Sequence, residues 1–215
     1  MNAFCYKNVV KKRYNTFTII LQGETMSISL SKGGRIDLAK EAPSLTQVGF
    51  GLGWDENGSN TGGEFDLDAS VFMLDTSGKI PQDRYFVFYN NLASIDGAVE
   101  HTGDNRTGDG EGDDETIHVD LSKINPTITE LVFVVTIHEA HARKQNFGQV
   151  RNAFIRLYDR NTHREIAKYD LEEDFSTETA LEFGRLYKKE GSWRFKAVGT
   201  GYNAGLQGFV DQFIA

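Results

Sequence analysis

Cysteine occurs once, as Cys5, so no disulfide can form within the chain and a reducing compartment is expected. Proline occurs only 3 times in 215 residues, and the composition excludes a collagen-like, disordered or disulfide-stapled chain. No run approaches the roughly 18 apolar residues of a membrane-spanning helix. Positive charge is scarce as well, with 23 Lys and Arg against 31 Asp and Glu, a net −8. A chain this acidic is poorly suited to nucleic acid, where phosphate neutralisation supplies most of the affinity. It is better suited to collecting cations. No Gly-x-Ser-x-Gly elbow occurs, and no Gly-Lys-Ser/Thr ending that would make Gly108–Gly112 a phosphate loop, so no enzyme is expected.

The first 25 residues differ from the rest. Lys7, Lys11, Lys12 and Arg13 face only Glu24, and the apolar run Phe17–Leu21 is too short for a secretory signal. Residues 1–25 read as a loosely ordered extension, or as a start assigned upstream of Met26. Residues 26–215 then form the folded domain, and the protein is expected in the cytoplasm.

From Met26 the apolar pattern has a period of two. Val48, Phe50, Leu52 and Trp54 alternate with Gln47, Gly49, Gly51 and Gly53, leaving one strand face large and apolar and the other almost bare backbone. The glycines predict close approach by another backbone or sheet. Phe65–Met73 and Tyr85–Tyr89 alternate in the same way. Leu131–Val135 suits a strand buried on both faces. Residues 153–159 and 165–171 flank an Arg160–His163 turn, and 181–189 and 192–198 flank Glu190-Gly191. With Ile28–Leu38 and Ile117–Leu121 the pattern predicts roughly ten strands. That is an all-β antiparallel sandwich or barrel. Leu206, Phe209, Val210, Phe213 and Ile214 have helical spacing and predict a C-terminal amphipathic helix docked on it.

The chemistry lies in residues 104–115, where Asp104, Asp109, Glu111, Asp113, Asp114 and Glu115 are interleaved with Gly108, Gly110 and Gly112. Packed carboxylates repel unless neutralised, and the glycines let oxygens converge. Hard oxygen ligands in flexible geometry describe calcium better than magnesium. The stretch is not an EF-hand, because Arg106, Gly108 and Asp109 stand where ligands and the turn glycine belong. Asp66 and Asp68, two apart on a strand, point to one side opposite Phe65, Leu67 and Ala69. Asn90 and Asn91 offer amide carbonyls, as does Asn105 within the stretch, and Asp55 and Glu139 are weaker candidates. An acidic run can also be a solvated surface. The glycines, the separate acid pair and the asparagines favour a metal site.

Other signals fade. His138-Glu139-Ala140-His141 has its histidines three apart, not the four of a zinc-protease helix, and reads as surface or satisfied histidines. His101, His118 and His163 are isolated in sequence. Residues 141–168 carry seven Lys and Arg against Asp159 and Glu165. They read as outward-facing strand residues, or as a docking patch for an acidic partner or anionic lipid.

Several motifs in order carry a family resemblance: Met26–Gly34, Gly51-Leu52-Gly53-Trp54-Asp55, Phe65–Ser70, Phe88-Tyr89-Asn90-Asn91, and most specifically His101–Gly108 with the acidic stretch after it. Gln145-Asn146-Phe147-Gly148 and Asn152–Arg156 complete the set. The chain resembles the TerD family of tellurium-resistance and stress-response proteins. The resemblance implies a β-sandwich comparable to C2-type calcium-binding domains, with calcium ions, two by expectation, at one end. It places Asp66 and Asp68 on the family's paired acids and Asp104–Glu115 on its acidic loop. It also implies stress-response partners, including a complex near the membrane, and no catalytic activity. The expected function is a calcium-binding stress-response module that signals or scaffolds. A calcium-bridged lipid binder is the alternative, and a metal-dependent hydrolase using His138 or His141 ranks last.

Overall fold

The alternation from Val48 to Leu52 becomes a strand in the computed structural model, which describes residues 27–55, 64–103, 112–171 and 175–214. Among the described residues there are twelve strands. The first six are β1 (Ile28–Ser29), β2 (Arg35–Asp37), β3 (Gln47–Gly53), β4 (Leu67–Leu74), β5 (Phe86–Val87) and β6 (Val99–His101). The others are β7 (Glu115–Asp120), β8 (Glu130–Ile137), β9 (Phe154–Asp159), β10 (Glu165–Asp170), β11 (Ala180–Lys189) and β12 (Ser192–Tyr202). They form two six-stranded sheets, one in the order β1-β10-β9-β3-β7-β6 and the other β2-β12-β11-β8-β4-β5. Pairing is antiparallel except between β1 and β10. The fold is the antiparallel sandwich that the period-two pattern predicts.

Two differences separate the expected ten strands from twelve. Ile28–Leu38 is not one strand: the chain turns at Gly33 (φ 78°), where Gly34 N–H donates to the Ser31 carbonyl at 2.8 Å. β1 joins the first sheet and β2 the second, so this turn carries the chain from one layer to the other. A short helix α1 (Leu38–Glu41) follows, its first turn capped by the Asp37 carboxylate, which accepts from Ala39 N–H at 3.2 Å. β6 leaves no signal in the sequence, because three residues are too few for a period of two to register.

The inner faces meet through aromatic rings. Phe50 of β3 lies 4.0 Å from Phe133 of β8 and 5.7 Å from Phe195 of β12, centroid to centroid. The glycine face of β3 points the other way, and it receives mostly side chains, with a backbone approach only at Gly53, where the Gly112 carbonyl lies close. A Cβ at Gly49 would overlap the ring of Tyr158, one at Gly51 the carboxylate of Asp113, and one at Gly53 the ring of Phe154. Tyr158 and Phe154 stand directly opposite Gly49 and Gly53 on β9, and side chains lying across the strand bury it.

The second sheet is covered by a helix, α3 (Gly205–Phe213). β4 is buried along its whole length. Its Val71 faces inward, and its Phe72 packs 5.1 Å from Phe213 and 6.4 Å from Phe209. The last carbonyls of the helix lack intrahelical partners, and Lys79 supplies one: its ammonium donates to the carbonyls of Gln212 at 2.9 Å and Ile214 at 3.2 Å. The docked helix agrees with its apolar spacing.

Phe209 is 1% exposed and touches Phe72, Tyr202 and Phe213. Phe209→Ala is expected to lower the unfolding free energy by about 3–5 kcal/mol, measured by urea denaturation.

Candidate functional site

Strand directions gather the candidate residues at one end of the sandwich. β4 and β7 begin there, and β3, β6 and β8 finish there, as the pairings Leu67↔Ile137, Leu52↔Glu115 and His101↔Ile117 require. Asp66 and Asp68 flank the first residue of β4 and are 8% and 5% exposed. Burial of a carboxylate demands a compensating charge or donor. Both meet groups from the segment that leaves β8. His138 N–H donates to the Asp66 backbone carbonyl at 2.8 Å, and its Nδ1 stands 3.6 Å from Asp68 Oδ2. Arg143, at the end of the single helical turn α2 (Ala140–Arg143), places a guanidinium nitrogen 3.5 Å from Asp66 Oδ2.

Asn90 and Asn91 reach the same end, after β5. Phe88 and Asn91 form a tight bridge, and Asn91 Nδ2 donates to the Phe86 carbonyl at 2.5 Å, while Asn90 is exposed. Tyr89, just before them, presents its ring edge-on to His138 at 6.3 Å.

The described members of the acidic stretch go different ways. Asp113 lies over Gly51 on the outer face of the first sheet and is gripped by Arg156, whose Nε and second guanidinium nitrogen donate at 2.7 and 2.9 Å. That hydrogen bonding pushes the Arg156 pKa up against the opposing effect of its burial. Asp114 rejoins β3, its N–H donating to the Leu52 carbonyl at 2.7 Å and its carboxylate accepting from Trp54 N–H at 2.9 Å. Glu115 opens β7 opposite Leu52, so it turns inward and is 2% exposed. Its Oε2 accepts from Ala69 N–H at 2.7 Å, an edge donor beyond the reach of β5, which pairs only with Val71 and Phe72. Asp104, Asn105, Asp109 and Glu111 lie outside the described residues.

His101, isolated in sequence, faces Glu115. Its Nδ1 accepts from Gly103 N–H at 3.2 Å, which assigns the proton of the neutral ring to Nε2, 3.5 Å from Glu115 Oε2. Register across the β6–β7 pair brings the two together, and nothing local in sequence signals it. The other missed partners, Arg143 and Arg156, belong to the basic stretch 141–168. There Arg156 also approaches Glu165 at 3.7 Å, Lys168 pairs with Asp170 at 2.8 Å, and Arg160 donates to Gln47 at 3.1 Å. Those pairings favour ordinary strand residues over a free basic patch. His138 just follows a strand and His141 sits on the one-turn helix, so their zinc-motif likeness has no helix to rest on.

The donor chemistry at this end is that of a hard cation, with carboxylates and amide carbonyls and no thiolate among the described residues. Asp66 and Asp68 are the two buried carboxylates at the start of β4 that could contribute to holding such an ion. Among the described residues, no three His, Cys, Asp or Glu side chains gather closely enough to hold a metal ion unaided.

The TerD domain family matches residues 26–213. "Tellurium resistance protein TerD" of Serratia marcescens is 54% identical over 188 residues, 87% of this chain and 97% of that protein. "General stress protein 16U" of Bacillus subtilis is 52% identical over 181 residues, 84% of this chain and 94% of the relative. A solved homologue of telluride resistance protein (TerD) from Streptomyces coelicolor A3(2) superposes with a TM-score of 0.62 at 21% identity. It covers 77% of this chain and 95% of that one, a likeness of fold.

Removing the Glu115 acceptor leaves the Ala69 N–H buried and unpaired, which costs about 1–3 kcal/mol. Glu115→Ala is therefore expected to lower stability by at least that amount in urea denaturation, and Glu115→Gln, which keeps an acceptor oxygen, by clearly less.

Proposed function

The chain belongs to the TerD family of tellurium-resistance and stress-response proteins, and on that premise we propose that it is a calcium-binding module of such a response. The observation that carries this reading is the buried acid pair at the start of β4, Asp66 at 8% and Asp68 at 5% exposure. The nitrogens of Arg143 and His138 approach them at 3.5 and 3.6 Å, longer than the roughly 2.7–2.9 Å of a tight charge-assisted hydrogen bond. A desolvated carboxylate met as loosely as Asp66, with a second buried carboxylate two residues on, favours a divalent cation with oxygen preference.

Asp66 and Asp68 would hold the ion, with carboxylates of the acidic stretch 104–115 and the Asn90–Asn91 corner as further oxygen donors. Bound calcium would supply positive charge to this acidic end. Asp113 and Glu115, already engaged with Arg156 and Ala69 N–H, anchor the returning end of the stretch to both sheets. Loading the site would alter the surface this end offers to a partner, through the cation's differential affinity for two forms of the site. The partners proposed are other stress-response proteins, including a complex at the membrane, reached from the cytoplasm. The relatives' names describe resistance and stress proteins and no reaction.

A second reading is contact with anionic lipid through the cation. It is favoured by Leu92, which directly follows the Asn90–Asn91 corner and is 47% exposed. Pelleting with phosphatidylserine vesicles, with calcium and with chelator, separates the two readings.

Calorimetric titration of chelator-treated protein is expected to show calcium binding that magnesium does not match. Asp66→Asn with Asp68→Asn is expected to weaken it by roughly tenfold or more. Equal calcium affinity in the double variant would sink the assignment.

A further inference from the structure

The turn that carries Arg143 is strained on both sides. Glu139 before it (φ 50°, ψ 31°) and Lys144 after it (φ 55°, ψ 41°) are left-handed, and neither is glycine. Such residues persist where their surroundings over-determine them. Here Ala140 is 5% exposed, Gln145 N–H donates to the Ala140 carbonyl at 2.8 Å, and Gln145 is itself buried. Its Nε2 donates to the carbonyl of Glu64, two residues before Asp66, at 3.1 Å. The turn is thus tied to the chain entering β4, and it aims Arg143 at Asp66.

The grip at the end of that aim is weak. One guanidinium nitrogen stands 3.5 Å from Asp66 Oδ2, Nε stands 3.8 Å from Glu139 Oε2, and the arginine side chain is 32% exposed. Arg156 holds Asp113 with two bonds of 2.7 and 2.9 Å, and Arg185 holds Glu182 with two of 2.5 and 2.8 Å. Those two are fixed forks, whereas Arg143 is held at a distance from which it can exchange.

We propose that Arg143 is a tethered counter-ion that competes with the divalent cation for Asp66, so that loading the site releases the arginine to the surface beside exposed His141 and Lys144. The proposal rests on the calcium reading above. A buried carboxylate needs a positive neighbour, and two cations on one carboxylate repel each other. Competition of this kind is reciprocal: whatever draws Arg143 away tightens cation binding, and the cation weakens the hold of Asp66 on Arg143.

The test compares calcium titrations of the full chain, Arg143→Gln and Arg143→Lys, each shown by circular dichroism to be folded in chelator. Arg143→Gln is expected to bind calcium roughly three- to tenfold more tightly, because a competing charge is gone. Arg143→Lys keeps the charge and is expected to stay within about twofold of the natural chain. In the natural chain, the Arg143 Nε–H resonance is expected to move on calcium saturation, a readout that does not depend on the Gln variant folding. Equal or weaker calcium binding by Arg143→Gln, or an unmoved resonance, overturns the competition and leaves the calcium reading standing. Absence of calcium binding by the natural chain overturns the calcium reading itself, and this proposal with it.

Discussion

Glu115 takes the backbone N–H of Ala69 across the gap between the two sheets, with a carboxylate only 2% exposed. Burying a charged group this far is costly unless it is hydrogen-bonded, so the position demands a reason. The edge of β4 provides one. β5 covers Val71 and Phe72 and stops, and Ala69 N–H would otherwise be a buried donor without a strand to receive it. By closing that edge from the other layer, Glu115 fixes where β7 starts relative to β4. Everything at this end of the molecule follows from that tie. Asp66 and Asp68 enter β4 just before it, Asp113 and Asp114 arrive just before Glu115, and His101 closes over it from β6.

Arginine geometry sorts the acids of this chain into two kinds. Asp113 and Glu182 are each held by a two-pronged guanidinium, the arrangement that adds orientation as well as energy. Both are structural: one pins the returning acidic stretch over the glycines of β3, and the other lies on the outer face of the second sheet, where Arg185 also reaches Glu130 at 3.2 Å. Asp66 meets its arginine once and loosely. The two forked grips fix their acids in place, whereas a single contact at 3.5 Å leaves Asp66 less constrained than either.

Much of the fold is legible in the chain because its signals are local. Val48, Phe50 and Leu52 declare one face of β3, and the turns at Arg160–His163 and Glu190-Gly191 declare two hairpins within a few residues of the strands they join. The spacing of Phe209 and Phe213 declares a docked helix, although not that Lys79 would cap it. The failures are equally physical. Ile28–Leu38 reads as continuous because apolar alternation survives across Gly33, while the turn there hands the chain to the opposite sheet. The bare face of β3 reads as room for backbone, which holds at Gly53 beside the Gly112 carbonyl, while most of the face is filled by Tyr158, Phe154 and Asp113 from β9 and the acidic stretch.

The sequence by itself determined an all-β chain with an acidic, glycine-rich stretch and a separate pair of acids two residues apart, because alternation and composition need no knowledge of what lies opposite. Only the tertiary structure decided which of those acids do what. Register sets that division. Pairing Leu52 with Glu115 turns Glu115 into the interior, and a slip of one residue would turn it outward; Asp113 precedes the strand, just after Gly112 (φ 111°), so it escapes the alternation and lies outside over Gly51. The partners that distinguish the acids, Arg156 for Asp113, Ala69 N–H for Glu115 and Arg143 for Asp66, come from strands and turns far along the chain. Strand pairing within each sheet brings the two arginines within reach of their acids, and packing of one sheet on the other brings Ala69 N–H to Glu115.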